Sequence, residues 1–205
     1  MEIRPGLRER KKAETRRALR VAAFELAVER GPDHVTVADI ADAANVSVRT
    51  FFNYYPSKES AIVGIDSVLV ETARQKLLAR PADETPFEAL RRVFAPEETE
   101  VSDLADSQAT RVRLVLSHPG LKDAQLAGLD ELGSVLTEAV AQRVGLDPND
   151  LYAAMVVSSM IAAFHLVLSR WEADDRTSSL REELEEAFDI LAAGFGAVQV
   201  LNRSI

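Results

Sequence analysis

The feature that most constrains this chain is the spacing of helix breakers in its first sixty residues. Gly31-Pro32, Asn45-Val46 and Pro56-Ser57 interrupt an otherwise helical pattern. Each is a stop followed by a start. Gly accepts the left-handed C-cap conformation, Pro cannot continue a helix, and Asn is among the few residues that tolerate a positive φ in a turn. Thr36, Ser47 and Ser57 then stand where an N-cap is needed, and Asp39 follows Thr36 at capping-box spacing. The pattern predicts a helix over about 11–30, short helices over 37–44 and 48–55, and a longer one over 58–80 that Pro81 ends. Leu19, Ala22, Ala23, Leu26 and Ala27 give the first helix one apolar face, and Ile40, Ala41 and Ala44 give the second a buried stripe.

The rest of the chain is also helical in period, with no alternating strand pattern and no Asn-Gly or Asp-Gly hairpin. Thr85-Pro86 opens a helix with Phe87, Leu90, Val93 and Phe94 on one face. A helix over about 103–117 ends at His118-Pro119-Gly120, the next runs over about 121–144 to Gly145, and Asp147-Pro148 opens a long one that is strongly apolar from Ala153 to Leu168. Ser178 or Ser179 caps the last, with Glu182 placed to complete a box on Ser179. The expectation is an all-α protein of about nine helices with its strongest seam near 56–60, giving a small domain over 1–56 and a larger one over 57–205.

Charge divides at the same seam. Residues 1–60 hold eleven Lys/Arg against nine Asp/Glu, the first twenty hold eight against three, and residues 61–205 hold thirteen against twenty-four. A basic head on an acidic body suits a polyanion that meets only the head. Other chemistries find little support. There is no Cys, the three His form no metal-binding helical pair, and neither a P-loop, a G-x-S-x-G nor a G-x-G-x-x-G motif is present. No catalytic residue, metal ligand or cofactor site is therefore assigned. No run of 18 apolar residues and no secretory h-region is found, so a bacterial-type cytoplasmic protein without a membrane partner is expected.

Residues 36–55 form the densest pattern: two short helices joined by a tight turn, the signature of a helix-turn-helix. Such a motif needs small residues where its helices cross, supplied by Ala41 and Ala44, and apolar locks, supplied by Val37, Ile40, Val46 and Phe51. Its second helix must present base-reading groups in its first turn, where Val48, Arg49 and Thr50 stand.

On these residues the sequence resembles the TetR family of transcriptional regulators. The likeness covers about residues 15–62. It includes Glu29-Arg30-Gly31, then Thr36-Val37-x-Asp39-Ile40-Ala41-x-x-Ala44, then Val46-Ser47-x-x-Thr50-Phe51, and finally Tyr54-Tyr55-Pro56-Ser57-Lys58-Glu59. Asn45 stands where the family usually has Gly, Phe52 where a Tyr hydroxyl commonly reaches a phosphate, and Tyr55 where Phe is common. The resemblance implies an all-helical homodimer with a DNA-binding head and a ligand-binding and dimerisation body. It implies that Val48, Arg49, Thr50 and Asn53 meet base edges of an operator duplex. Thr36, Ser47, Tyr54 and Lys58 are then the phosphate contacts. Lys58 at a helix start opposes the dipole, which a phosphate partner explains. Arg4, Arg8 and Arg10, with Lys11 and Lys12 at the start of the expected first helix, form an arm that follows the groove or a solubilising tail.

For the body, the resemblance implies a small-molecule pocket. Phe87, Phe94, Arg111, Leu114, His118, Leu126, Leu129, Met155, Ser159 and Trp171 are its candidate lining residues. The last two helices, rich in small residues, are the expected dimer interface, with Ala154, Ser158, Ala162, His165, Ala193 and Ala197 as its candidates. The function so implied is a ligand-responsive repressor on a palindromic operator. The alternatives are a ligand-independent DNA-binding dimer and a small helical enzyme or carrier.

Overall fold

A computed structural model describes residues 7–94, 110–173 and 180–194. Every regular element among them is helical: α1 (Leu7–Arg30), a 3-10 turn (Pro32–His34), α2 (Val37–Ala43), α3 (Val48–Phe52), α4 (Lys58–Val63), α5 (Ser67–Leu78), α6 (Pro86–Phe94), α7 (residues 110–117), α8 (Pro119–Val144), α9 (Leu151–Ala173) and α10 (Leu180–Ala193).

Four differences from the sequence pattern have local causes. The helix expected over 58–80 is two helices: Gly64 takes the left-handed conformation (φ 77°), its N–H bonds to the Ser60 carbonyl, and α4 stops there. That break raises the helix total to ten among the described residues. Second, α1 begins at Leu7, because no Gly or Pro interrupts the sequence after Pro5-Gly6. Arg8, Arg10, Lys11 and Lys12 thus lie on its exposed first turns rather than on an arm, and Arg4 is outside the described residues. Third, α3 is shorter than expected. The bonds from Asn53 N–H to Thr50 O and from Tyr54 N–H to Phe51 O are of the tighter i→i+3 kind, and Pro56 disfavours helix at Tyr55. Fourth, Asp147-Pro148 makes a turn, and α9 is opened by Asp150, whose carboxylate accepts from Tyr152 N–H at 2.8 Å. The Ser178/Ser179 cap is outside the described residues.

The chain forms two compact units. The first is Met1–Asp66 together with Arg113–Gly128, and the second is Ser67–Val112 with Leu129–Ile205. The expected division at 56/57 falls inside the first unit, because α4 packs on α1 and buries Ala61, Ile62 and Val63. The core of this unit joins Leu19, Ala23, Leu26 and Ala27 of α1 to Ile40, Ala41, Phe51 and Tyr55, and receives Val115 and Leu121 from the returning segment. Truncating a fully buried member such as Phe51 costs about 3–5 kcal/mol. At Gly128 an added Cβ would lie 2.8 Å from Ile65, so only a bare backbone allows α8 this close an approach.

In the second unit α6 packs on α5 and α9, and α9 packs on α10. Leu77, Leu90, Leu136, Val157, Met160, Leu184 and Phe188 are buried there. The Arg143 guanidinium donates to the carbonyls of Arg80, Pro81 and Glu84, closing the α5–α6 turn. Arg91 joins α6 to α10 through Glu185 and Asp189, each at 2.7 Å. One stretch, Leu151–Arg170 of α9, is long and apolar enough to cross a membrane by length and composition, with mean hydropathy 2.0. Ser158, Ser159 and His165 interrupt it, which is why the sequence pattern shows no unbroken apolar run of that length.

Candidate nucleic-acid interface

The turn between α2 and α3 is closed by backbone bonds. Asn45, at φ 54°, donates to Asp42 O (3.0 Å), and Val46 donates to Ala41 O (2.9 Å), a Schellman pair that Asn supports in place of Gly. Thr36 caps α2 reciprocally: Asp39 N–H donates to Thr36 Oγ1 (3.2 Å) and Thr36 N–H donates to Asp39 Oδ2 (2.9 Å). The Thr36 hydroxyl also donates to that carboxylate at 2.5 Å. These bonds hold the Asp39 carboxyl below the usual carboxylate range, the hydroxyl bond contributing most. Ser47 caps α3 by accepting from Thr50 N–H (3.0 Å), and the two hydroxyls lie 2.8 Å apart.

With Phe51 wholly buried as the pin of α3, the opposite side of the helix is open: Val48, Arg49, Phe52 and Asn53 are exposed, and Thr50 is half-buried. Three of the four expected base contacts thus lie on one accessible face, while Thr50 is tied to Ser47. Thr36 and Ser47 are exposed caps. Tyr54 is half-buried, with the Arg16 guanidinium 5.5 Å from its ring centroid.

Lys58 has a different partner from the one its position suggests. Its ammonium donates to the carbonyls of Pro32 and Val35, both at 2.9 Å, with Glu59 at 4.0 Å. It closes the end of the 3-10 turn, which explains a cation at this helix start without a phosphate. Two further side chains stand out in the structure. Phe52 is an exposed aromatic on the open face, signalled in sequence only by the departure from Tyr. Asp66 is buried at the end of the unit: Tyr55 Oη donates to its carboxylate (2.9 Å) and Arg16 lies 3.4 Å from it. Burial first, then the Asp66 charge, push the Tyr55 phenol above its ordinary value.

The expected pocket residues are divided between the two units. Leu114 packs against the first unit's core, and His118 is half-buried there with Nδ1 3.0 Å from Leu114 O. Leu126 and Met155 are exposed, at 59% and 60%, because α8 and α9 carry apolar residues on more than one face. Phe87, Phe94, Arg111, Leu129 and Ser159 are half-buried in the second unit, where the Phe94 and Phe164 rings lie 5.7 Å apart and tilted by 47°, and the Trp171 side chain is outside the described residues. A cleft of about 510 Å³ in that unit is charged and open, lined by Asp83, Glu84, Glu88, Arg91, Arg92 and Glu185.

Of the expected interface residues, Ser158, Ala162 and His165 share the exposed face of α9 with Leu151, Tyr152, Met155 and Leu166. Ala154 is half-buried, Ala193 is exposed at the end of α10, and Ala197 is outside the described residues.

An open-faced helix pinned on a helix-turn-helix, with basic turns on the preceding helix, defines a DNA-binding protein. Sequence comparison agrees. Residues 19–60 match the tetR family of bacterial regulatory proteins, and residues 84–196 match the MftR C-terminal domain. The HTH-type transcriptional regulator TcmR of Streptomyces glaucescens is 34% identical over 197 residues, covering 91% of this chain and 87% of TcmR. Among solved structures, the Thermus thermophilus repressor FadR, in complex with lauroyl-CoA, is 28% identical with a TM-score of 0.54, covering 93% of this chain and all of FadR. SmeT, the repressor of a Stenotrophomonas maltophilia multidrug efflux pump, shares the fold at 19% identity and a TM-score of 0.57, covering 94% of this chain and 98% of SmeT. The chain belongs to the TetR family of bacterial transcriptional regulators. It is a transcriptional regulator of the helix-turn-helix type.

Proposed function

We propose that two copies of this chain bind a palindromic operator in the bacterial cytoplasm and that a largely apolar small molecule releases them. The observation that carries the DNA part is the open face of α3, where Val48, Arg49 and Asn53 are exposed on a helix whose other side is locked by Phe51. Arg49 pairs bidentately with guanine in this reading, an interaction worth about 1–3 kcal/mol of discrimination. Thr36, Ser47 and Tyr54 approach the backbone, and Lys58 supports them from within. The exposed basic turns of α1 supply sequence-independent attraction.

Pairing of the two copies is supported by α9. Its exposed face is apolar or small over several turns, from Leu151 to Leu166, and so large an apolar surface on a regulator is suited to a second copy. A two-fold operator requires a two-fold protein. The effector class is supported by FadR, whose ligand is an acyl chain on an anionic carrier, and by the half-buried Phe87, Phe94, Leu129 and Arg111 of the second unit. The chain has no catalytic role in this reading.

Linkage provides the test. If ligand weakens operator binding by some factor, operator weakens ligand binding by the same factor. Lauroyl-CoA titrated calorimetrically into the protein with and without operator shows weaker binding in the presence of DNA. Equal affinities contradict release and leave a ligand-independent DNA-binding dimer. No binding in either titration rules out the acyl-CoA class.

A further inference from the structure

The outward side of α3 is not uniformly polar. Phe51 points into the core and the Thr50 hydroxyl is engaged by Ser47, which leaves Val48, Arg49, Phe52 and Asn53 projecting outward. At about 100° per residue these sort into two adjacent edges, Arg49 with Asn53 and Val48 with Phe52, each one turn apart. The second edge is apolar and exposed: Phe52 at 54% and Val48 at 42%. The Phe52 ring stands edge-on to Phe51, with centroids 5.4 Å apart and planes at 90°. The ring keeps this edge contact with its buried neighbour while more than half of the residue stays exposed.

We propose that the Phe52–Val48 edge reads thymine methyl groups, so that α3 recognises a polar base edge along Arg49 and Asn53 and an adjacent methyl-bearing one along Phe52. This rests on the DNA-binding reading above and extends it to a specificity-determining residue. The occupant follows from chemistry. The edge is continuous with the base-reading face, and the thymine C5 methyl is the apolar group that the major groove displays. A phenylalanine here has no hydroxyl for a phosphate, so its contribution to binding lies in apolar contact.

The experiment starts from a duplex selected by the protein from a random pool. Each thymine of one half-site is replaced in turn by deoxyuridine, which removes the methyl and keeps every hydrogen-bonding group. Dissociation constants are read by fluorescence anisotropy at fixed salt. For the parent protein, one or two positions per half-site weaken about fourfold, the equivalent of roughly 0.8 kcal/mol for one buried methyl. Phe52→Ala is insensitive to uridine at those positions, Phe52→Leu keeps most of the sensitivity, and neither changes the salt slope. Thermal melting confirms that both variants fold, as expected for an exposed site. A flat uridine scan in the parent overturns the proposal, as does equal uridine sensitivity in the parent and Phe52→Ala. So does uniform weakening of every duplex by Phe52→Ala with no methyl dependence, which places the ring on the sugar-phosphate backbone. Failure of the parent to select any duplex overturns the DNA-binding reading itself, a separate result.

Discussion

Lys58 separates a structural role from a DNA contact most sharply. Its ammonium reaches two carbonyls at 2.9 Å, those of Pro32 and Val35, and its side chain is largely buried. Replacing it with Met keeps the aliphatic stem and deletes the donor. A hydrogen bond to a charged group is worth about 1.5–3 kcal/mol. Partial access to water offsets some of this for two carbonyls, and the Pro32 carbonyl still accepts from Val35 N–H. A net loss of about 2 kcal/mol follows, or roughly 4–8 °C in melting temperature for a chain of this size. The assay pairs thermal melting by circular dichroism with operator affinity measured across a salt series. The structure predicts a lower melting temperature and an unchanged slope of log K against log salt. A phosphate clamp predicts a slope shallower by about 0.9 for each phosphate that is no longer neutralised. A Lys58→Met protein that melts like the parent and shows the shallower slope would refute the reasoning.

Tyr55→Phe removes the hydroxyl that donates to Asp66 and costs about 1.5–3 kcal/mol, read by urea unfolding. Because the folded phenol titrates above its unfolded value of about 10, its contribution is complete below that pH and is lost as pH rises through the folded value. The Phe variant therefore loses stability less steeply than the parent in the alkaline range, and parallel pH profiles would contradict this. Gly64→Ala forces a side chain into a left-handed residue at φ 77° and destabilises the protein by about 1–2 kcal/mol in the same assay; an unchanged midpoint would show that the α4–α5 break does not need Gly. Arg49→Ala relaxes base preference at one position of each half-site while leaving the other positions as selective as before, measured by repeating the duplex selection.

The first unit was largely legible because its signals are local. Gly31-Pro32, the Thr36/Asp39 box, Asn45 and Ser47 each fix a break or a cap within a few residues of themselves, and the α1 apolar stripe marks its own buried face. What escaped the sequence depends on distant parts of the chain. The partners of Lys58 are backbone carbonyls 26 and 23 residues upstream, which no side-chain pattern announces. Gly64 sits in a helical pattern where a glycine reads equally well as helix interior. The first unit also needs the segment from Arg113 to Gly128, a return that periodicity cannot encode. In the body, α9 is apolar around most of its circumference, so Met155 and Leu166 look like core from sequence and are exposed in the structure. Pocket residues therefore could not be told from interface residues.

In the proposed function, two copies of α3 read a symmetric duplex. Hydroxyl-radical footprinting of the protein on a duplex selected from a random pool tests it directly. Two equivalent protected half-sites related by a two-fold axis are expected, with centres about 10–10.5 base pairs apart or a multiple of that. A single asymmetric footprint, or protection that does not depend on sequence, would contradict the claim.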